Sequence, residues 1–209
     1  MLNKELFFLK KNWKRYVFII VMLAFAIGYF VYKETESAIL MFLSFSLPGL
    51  LVSLQTVQNS IMQEKNNGMF EKLLTVYNLD RILTVKAFVS FSVSVIVTLI
   101  CSGIVGLILH FGGNAVLDSS IFLCELSIAL CVDWTISVLL VILYMFIDQI
   151  IVINACVMAV MMLLSAICFG VVTAESMMFY TIGYCVTIVA VGSVLAFLIK
   201  YVPNTTALR

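Results

Sequence analysis

Between Tyr16 and Lys200 the chain is a succession of long apolar runs separated by short polar breaks. The runs fall near residues 16–33, 38–61, 85–109, 119–147, 149–172 and 177–200. Each approaches or exceeds the roughly 20 residues that a helix needs to cross the hydrocarbon core. Strands of a transmembrane barrel would be about 10 residues long with alternating polarity, a pattern these runs lack. Pro48-Gly49 interrupts the second run and predicts a kink whose freed backbone groups are satisfied by neighbouring helices. The stretch from Ser119 to Val172 is too long for one crossing, so it divides at the polar pair Asp148-Gln149.

Composition agrees with this pattern. Of 209 residues, 64% are hydrophobic and 11% charged, with a mean hydropathy of +1.18. Soluble domains carry about 25% charged residues and need polar surface to cover their core. A water-soluble globule, a disordered chain and a disulfide-stapled secreted domain are all excluded. The six cysteines lie inside apolar runs without a CxxC pair and read as small packing residues.

The first residues, MLNKELFFLKKNWKRY, have helical spacing of Leu2, Leu6, Leu9, Trp13 and Tyr16, with Lys4, Lys11, Lys14 and Arg15 opposite. Phe7 and Phe8 interrupt the split. A basic helix with an aromatic-bearing apolar face lies in the headgroup plane; the plainer reading is a solvated basic tail that only sets orientation. A cleaved signal peptide fits less well, because the apolar run continues to Tyr32.

Lysine and arginine placement sets the orientation. With the N-terminus inside, Lys4, Lys10, Lys11, Lys14, Arg15, Lys65, Lys72, Arg81, Lys86, Lys200 and Arg209 are cytoplasmic, and only Lys33 lies outside. A five-span arrangement would strand Lys200 and Arg209 on the far face. The expected fold is therefore all-α, a polytopic membrane protein with six transmembrane helices and both termini cytoplasmic. The chain forms a single transmembrane domain, 1–209. Residues 1–15 form the interfacial helix, 16–61 the first two spans, 62–84 a cytoplasmic loop, 85–200 the remaining spans and 201–209 a tail.

The loop reads MQEKNNGMFEKLLTVYNLDRILTVKAF from Met62. Glu71, Leu74, Asn78 and Arg81 share a face, which predicts a short amphipathic helix beginning after Gly68, where glycine relieves strain at the turn. Acidic Glu71 early and basic Arg81 and Lys86 later suit the helix dipole. A charged helix held beneath the bilayer by two spans is a lever on both; the plainer reading is a surface connector.

With Glu64, Gly68, Glu71, Leu73-Leu74 and Lys86, this loop resembles that of the membrane subunit of ABC-2 type transporters. The family pattern there runs glutamate, Gly-Thr, a glutamate two residues on, Leu-Leu, and later Gly-Lys entering the third span. The chain departs from it at Met69, at Tyr77-Asn78 and at Val85. The resemblance implies the permease half of an ATP-driven exporter in a bacterial cytoplasmic membrane, multi-pass in membrane lipid. ATP and magnesium would be bound by a separate ABC ATPase subunit, since no GxxxxGK[ST] occurs here. It further implies that Glu64, Lys65, Gly68, Met69, Phe70, Glu71, Leu73 and Leu74 contact that ATPase, the loop helix being the coupling helix. A second permease subunit, identical or related, would complete the channel. The implied cargo is a peptide, an antibiotic or an amphipathic compound, extending by analogy to antimicrobial-peptide export or self-immunity. The connection from Thr173 to Met177 is too short for the outer elaboration of larger relatives, pointing to a minimal exporter half. The alternative is a non-transporting scaffold or sensor that docks a cytoplasmic partner through residues 62–86. Nothing points to nucleic acid.

Several polar groups fall within the spans. An ionisable side chain at mid-bilayer costs about 2.5–3.5 kcal/mol on insertion scales. Asp133, near the centre of the fourth span, must therefore be protonated, hydrogen-bonded or in contact with water; transport and structural roles are both open. Glu125, nearer the outer boundary, is expected to reach water or Lys33. Gln55, Asn59 and Gln63 form a polar stripe on the second span, and with Asn154 and Asp133 they are candidates for the substrate path, or for interhelical hydrogen bonds. Ser90, Ser94, Thr98, Ser102 and Gly106 recur every four residues and predict close helix packing. The sole histidine, His110, sits at an outer edge and no HExxH occurs, so neither a serine–histidine nor a zinc protease site is legible, and no enzyme, cofactor or metal is expected.

Overall fold

The computed structural model describes residues 38–111, 119–147, 149–172 and 177–198, with Phe7, Lys10, Trp13, Lys14, Tyr16, Val17, Phe18, Ile20, Val21 and Met22 of the N-terminal segment. Every regular element among the described residues is an α-helix. In chain order these are α1 (Ala38–Asn66), α2 (Met69–Val76), α3 (Leu79–Phe111), α4 (Ser119–Phe146), α5 (Ile150–Val172) and α6 (Met177–Leu198). The segments Leu79–Ile108, Ser120–Phe146 and Met178–Leu198 are long and apolar enough to cross a membrane, and Ile150–Leu164 is a shorter apolar helix. The protein is a helical membrane protein.

The break between α4 and α5 falls where the pattern places it, with Ile147 and Gln149 outside both helices. α4 closes with the Ile147 amide on the Leu143 carbonyl at 2.8 Å, and the Gln149 carbonyl accepts from Val152 and Ile153 to open α5. The polar loop after α1 is shorter than the sequence predicts. α1 runs on to Asn66, and α3 begins at Leu79 rather than at 85. Apolar Leu79, Ile82 and Leu83 explain the early start, for all three are essentially buried.

α1, α3 and α4 form the centre. Lipid tails are as apolar as leucine, so helices in a bilayer associate through close packing and hydrogen bonds more than through expulsion of water. The residues at these contacts are accordingly small or hydroxylic. Ser53 on α1 donates to the Ser90 carbonyl of α3 at 3.5 Å, and Thr98 on α3 donates to Asp133 on α4 at 2.8 Å. Phe45 of α1 meets Phe122 of α4 edge-on at 5.1 Å. These pairings make α3 antiparallel to α1 and α4, which run parallel to each other.

The remaining helices lie outside this trio. A side chain on Gly192 of α6 would sit within 2.9 Å of Thr135 and Trp134, so glycine there lets α6 close onto α4. Thr135 donates to the Ile188 carbonyl at 2.8 Å across the same contact, and Tyr184 of α6 donates to the Leu164 carbonyl of α5 at 3.2 Å. The outer faces of α5 and α6 carry exposed large apolar residues such as Ile151, Met162, Phe179 and Ile182. Among the described N-terminal residues, Tyr16 and Ile20 pack against Val52, Val97 and Cys101, which lays that segment along α1 and α3. Trp13 and Phe7 are exposed. Leu2, Lys4, Leu6, Leu9, Lys11 and Arg15, and the first span beyond Met22, lie outside the described residues.

Candidate functional site

The basic end of the trio is built around a turn. Gly68 has φ 62° and ψ 10°, in the left-handed region that costs a side-chain-bearing residue roughly 1–2 kcal/mol. It breaks the helix between α1 and α2. α2 ends at Tyr77, which is extended at φ −128° and ψ 146°, its amide closing the last turn on the Leu73 carbonyl. Tyr77 separates Glu71 from Arg81: the predicted face of Glu71, Leu74, Asn78 and Arg81 is divided between two helices, and Arg81 sits in the first turn of α3, 5.6 Å from the Tyr77 ring.

Three anchors hold α2 and its flanks. Phe70 is buried against the main apolar core, with Ile61, Leu79 and Ile82 in the same cluster. Burying such a side chain from water stabilises by about 1.5–3 kcal/mol. Lys86 of α3 lies 2.9 Å from Glu64 of α1, with side-chain exposures of 1% and 2%, and it also donates to Ser60. Lys65 donates to the Met145 carbonyl at 2.9 Å, placing a cation on the C-terminal turn of α4 where the helix dipole favours it.

These anchors involve part of the expected docking surface. Glu64 and Phe70 face inward and Lys65 is engaged with α4, so all three brace the turn. Met69 and Glu71 are exposed, while Gly68, Leu73 and Leu74 are half-buried; exposed Lys72 and Val76 complete the outward face.

A buried polar seam leaves this end and runs along the trio. Beyond the Glu64–Lys86–Ser60 group come Ser53 and Ser90, then Gly49 with Ser94, Thr98 and Asp133, and finally Glu125. All but Gly49 are at least nine-tenths buried among the polar residues, and Gly49 is itself buried. At the centre the packing is tight. A methyl group added to Gly49 would lie 2.5 Å from the Thr98 Oγ1, 2.7 Å from the Ser94 Oγ and 3.1 Å from the Asp133 Oδ1. Glu125 is fully buried, and neither of its carboxyl oxygens has a hydrogen-bond partner among the described residues.

The predicted path residues differ in burial. Asp133 lies in the seam. Gln55 and Asn59 are half-buried and Gln63 exposed on a different face of α1, and Asn154 is exposed on α5. The small-residue stripe on α3 packs as expected: Ser90, Ser94, Thr98 and Ser102 are all buried. Glu125 does not reach water, and Lys33 lies outside the described residues. A matching stripe runs along α1. Ser46, Gly49, Ser53, Ser60 and Glu64 recur at spacings of one or two helical turns, a signal hidden because Gln55, Asn59 and Gln63 are more polar.

Comparison of the chain with family models, with curated proteins and with solved structures finds no match in any of the three.

Proposed function

We propose that this chain is the permease half of an ATP-driven exporter of the ABC-2 type, with six spans and both termini in the cytoplasm. The observation that carries the proposal is the braced turn from α1 through α2 to α3. Phe70 and the Glu64–Lys86 pair tie a short amphipathic helix rigidly to two long helices, while Met69, Glu71 and Lys72 face outward. A force applied to that exposed face is transmitted to α1 and α3 together, because breaking the anchors would expose a buried aromatic and a buried charge. The loop pattern shared with the ABC-2 family supplies the source of the force, a nucleotide-hydrolysing subunit that binds ATP and magnesium. The path between two such halves would carry a peptide, an antibiotic or an amphipathic compound outward across a bacterial cytoplasmic membrane.

Mild-detergent purification of the tagged chain from its native host is the test. The expected companion is a stoichiometric subunit with a P-loop, released by joint substitution of Glu71→Ala and Leu74→Ala with the membrane bundle intact. A double variant that keeps both its ATPase and full ATP-driven export would overturn the assignment of α2, and purification without any ATPase would favour a scaffold or sensor.

A further inference from the structure

The seam holds two carboxyls that the exporter reading does not use, and they lie well away from the basic end. Asp133 and Glu125 are eight positions apart on α4, about 12 Å at the helical rise of 1.5 Å per residue. Among the described residues, α1 and α3 carry charged side chains only toward the basic end (Glu64, Lys65, Asp80, Arg81 and Lys86, with Glu71 and Lys72 on the adjoining α2), His110 lies at the opposite end of α3, and Lys10 and Lys14 of the N-terminal segment are exposed. α5 and α6 carry no charged side chain at all. The thiols Cys101 and Cys124 are buried in the same region. Among the described residues no cation therefore faces either carboxyl, and Lys86 is committed to Glu64.

A buried, uncompensated carboxylate is prohibitively unfavourable, and the group takes up a compensating cation instead. Two such ions are available in a membrane, a metal ion or a proton. The packing decides between them. Around Asp133 three oxygens from α3 and α4 are so closely applied to the α1 backbone that not even a methyl group fits at Gly49, which leaves no room on that side for a metal ion with its ring of ligands. A proton needs no volume. At Glu125 both oxygens are buried without a hydrogen-bond partner among the described residues, and no group of three metal-ligating side chains occurs among those residues.

We propose that Glu125 and Asp133 are proton-binding sites: each holds a proton while α1, α3 and α4 are closed on one another, and gives it to water when the seam opens. The step is a simple proton exchange, the O–H bond of the carboxyl breaking as the proton passes to a water molecule. The partners left behind are arranged for it. Thr98 donates to Asp133 and stays with the carboxylate. Ser94 lies against the same point of α1 as the Asp133 oxygen and supplies a second hydroxyl. The proposal requires only that α3 and α4 cross the membrane, and it stands whether or not an ATPase drives the chain.

Infrared spectroscopy of the full-length protein in lipid nanodiscs at neutral pH tests it. The wild type should show the C=O stretch of protonated carboxylic acids. That band should fall by about half in Glu125→Gln and in Asp133→Asn, disappear in the double variant, and survive in Glu71→Gln, an exposed carboxyl. Should an amide variant fail to fold, selective carbon-13 labelling of aspartate or of glutamate in the wild type must split the band into one component of each kind. A second readout is the unfolding midpoint, which should fall from mildly acidic to alkaline buffer in the wild type and stay level in the double variant, since a carboxyl neutral when folded and ionised when unfolded loses stability as pH rises. Absence of the band in the wild type, or its persistence in the double variant, would overturn the proposal.

Discussion

Lys86 on α3 and Glu64 on α1 form an ion pair at 2.9 Å with almost no exposure of either side chain. The pair joins the helix before the short α2 to the helix after it, and the ammonium also donates to Ser60. Buried pairs of this kind are seldom net stabilising, yet removing one partner leaves an uncompensated charge and costs about 3–5 kcal/mol. Lys86→Met should lower the thermal midpoint of the purified protein sharply, and Glu64→Gln should do so to a similar or smaller degree. The combined Glu64→Leu, Lys86→Met variant should recover most of the loss. Equal damage from the single and double replacements would show that the pair does not act as a unit.

Gly49 is the closest approach between the seam and the α1 backbone. Gly49→Ala places a methyl group within 2.7 Å of two hydroxyl oxygens, and overpacking of that sort costs about 1–3 kcal/mol. The expected result is a lower midpoint in detergent-resistant unfolding assays. Thr98→Ser in the Gly49→Ala background removes the Thr98 methyl but not its oxygen, so little of the loss should return.

Thr98→Val keeps the shape of the side chain and removes the hydroxyl that donates to Asp133. A buried acceptor left without its donor costs about 1–3 kcal/mol. Thr98→Ser should be nearly silent by comparison. Unfolding of the three proteins in guanidinium, compared at matched lipid content, checks the order; a silent Thr98→Val would mean that Asp133 finds another donor.

The turn at Gly68 depends on its positive φ. Gly68→Ala has open space for its methyl group, so its penalty is conformational alone, roughly 1–2 kcal/mol. Phe70→Ala, by contrast, empties a buried aromatic site and should cost about 3–5 kcal/mol. Limited proteolysis near α2 should therefore accelerate modestly in the first variant and strongly in the second.

Sidedness has its own check. A cysteine placed at exposed Asn67 should resist a membrane-impermeant maleimide in intact cells and react after lysis. Labelling in intact cells would put the α1–α2 turn on the exterior and remove the basis for the exporter proposal.

How far the sequence reached is clearest at particular residues. Apolar run length places α4, α5 and α6 within a few residues of their observed limits, because a helix that must satisfy its own backbone in lipid leaves little freedom in where it starts and stops. Glycine at position 68 marks the start of α2 for an equally local reason, its left-handed turn. The break at Tyr77 was not legible. The residues around it retain helical periodicity, and only the burial of Leu79, Ile82 and Leu83 in the core makes an earlier start for α3 more favourable than a longer α2.

The candidate site divides in the same way. The sequence alone determined that this is a helical membrane protein, and that Asp133 and Glu125 are costly residues needing an explanation, because chain length and side-chain polarity fix those quantities position by position. Which polar residues meet was decided by tertiary structure. Helix rotation turns Glu64 and Lys86 inward and Gln63 outward, and the antiparallel register of α3 against α4 sets Thr98 beside Asp133. Rotation and register follow from how small residues on three helices fit one another, a property of pairs of surfaces that no single stretch of chain contains.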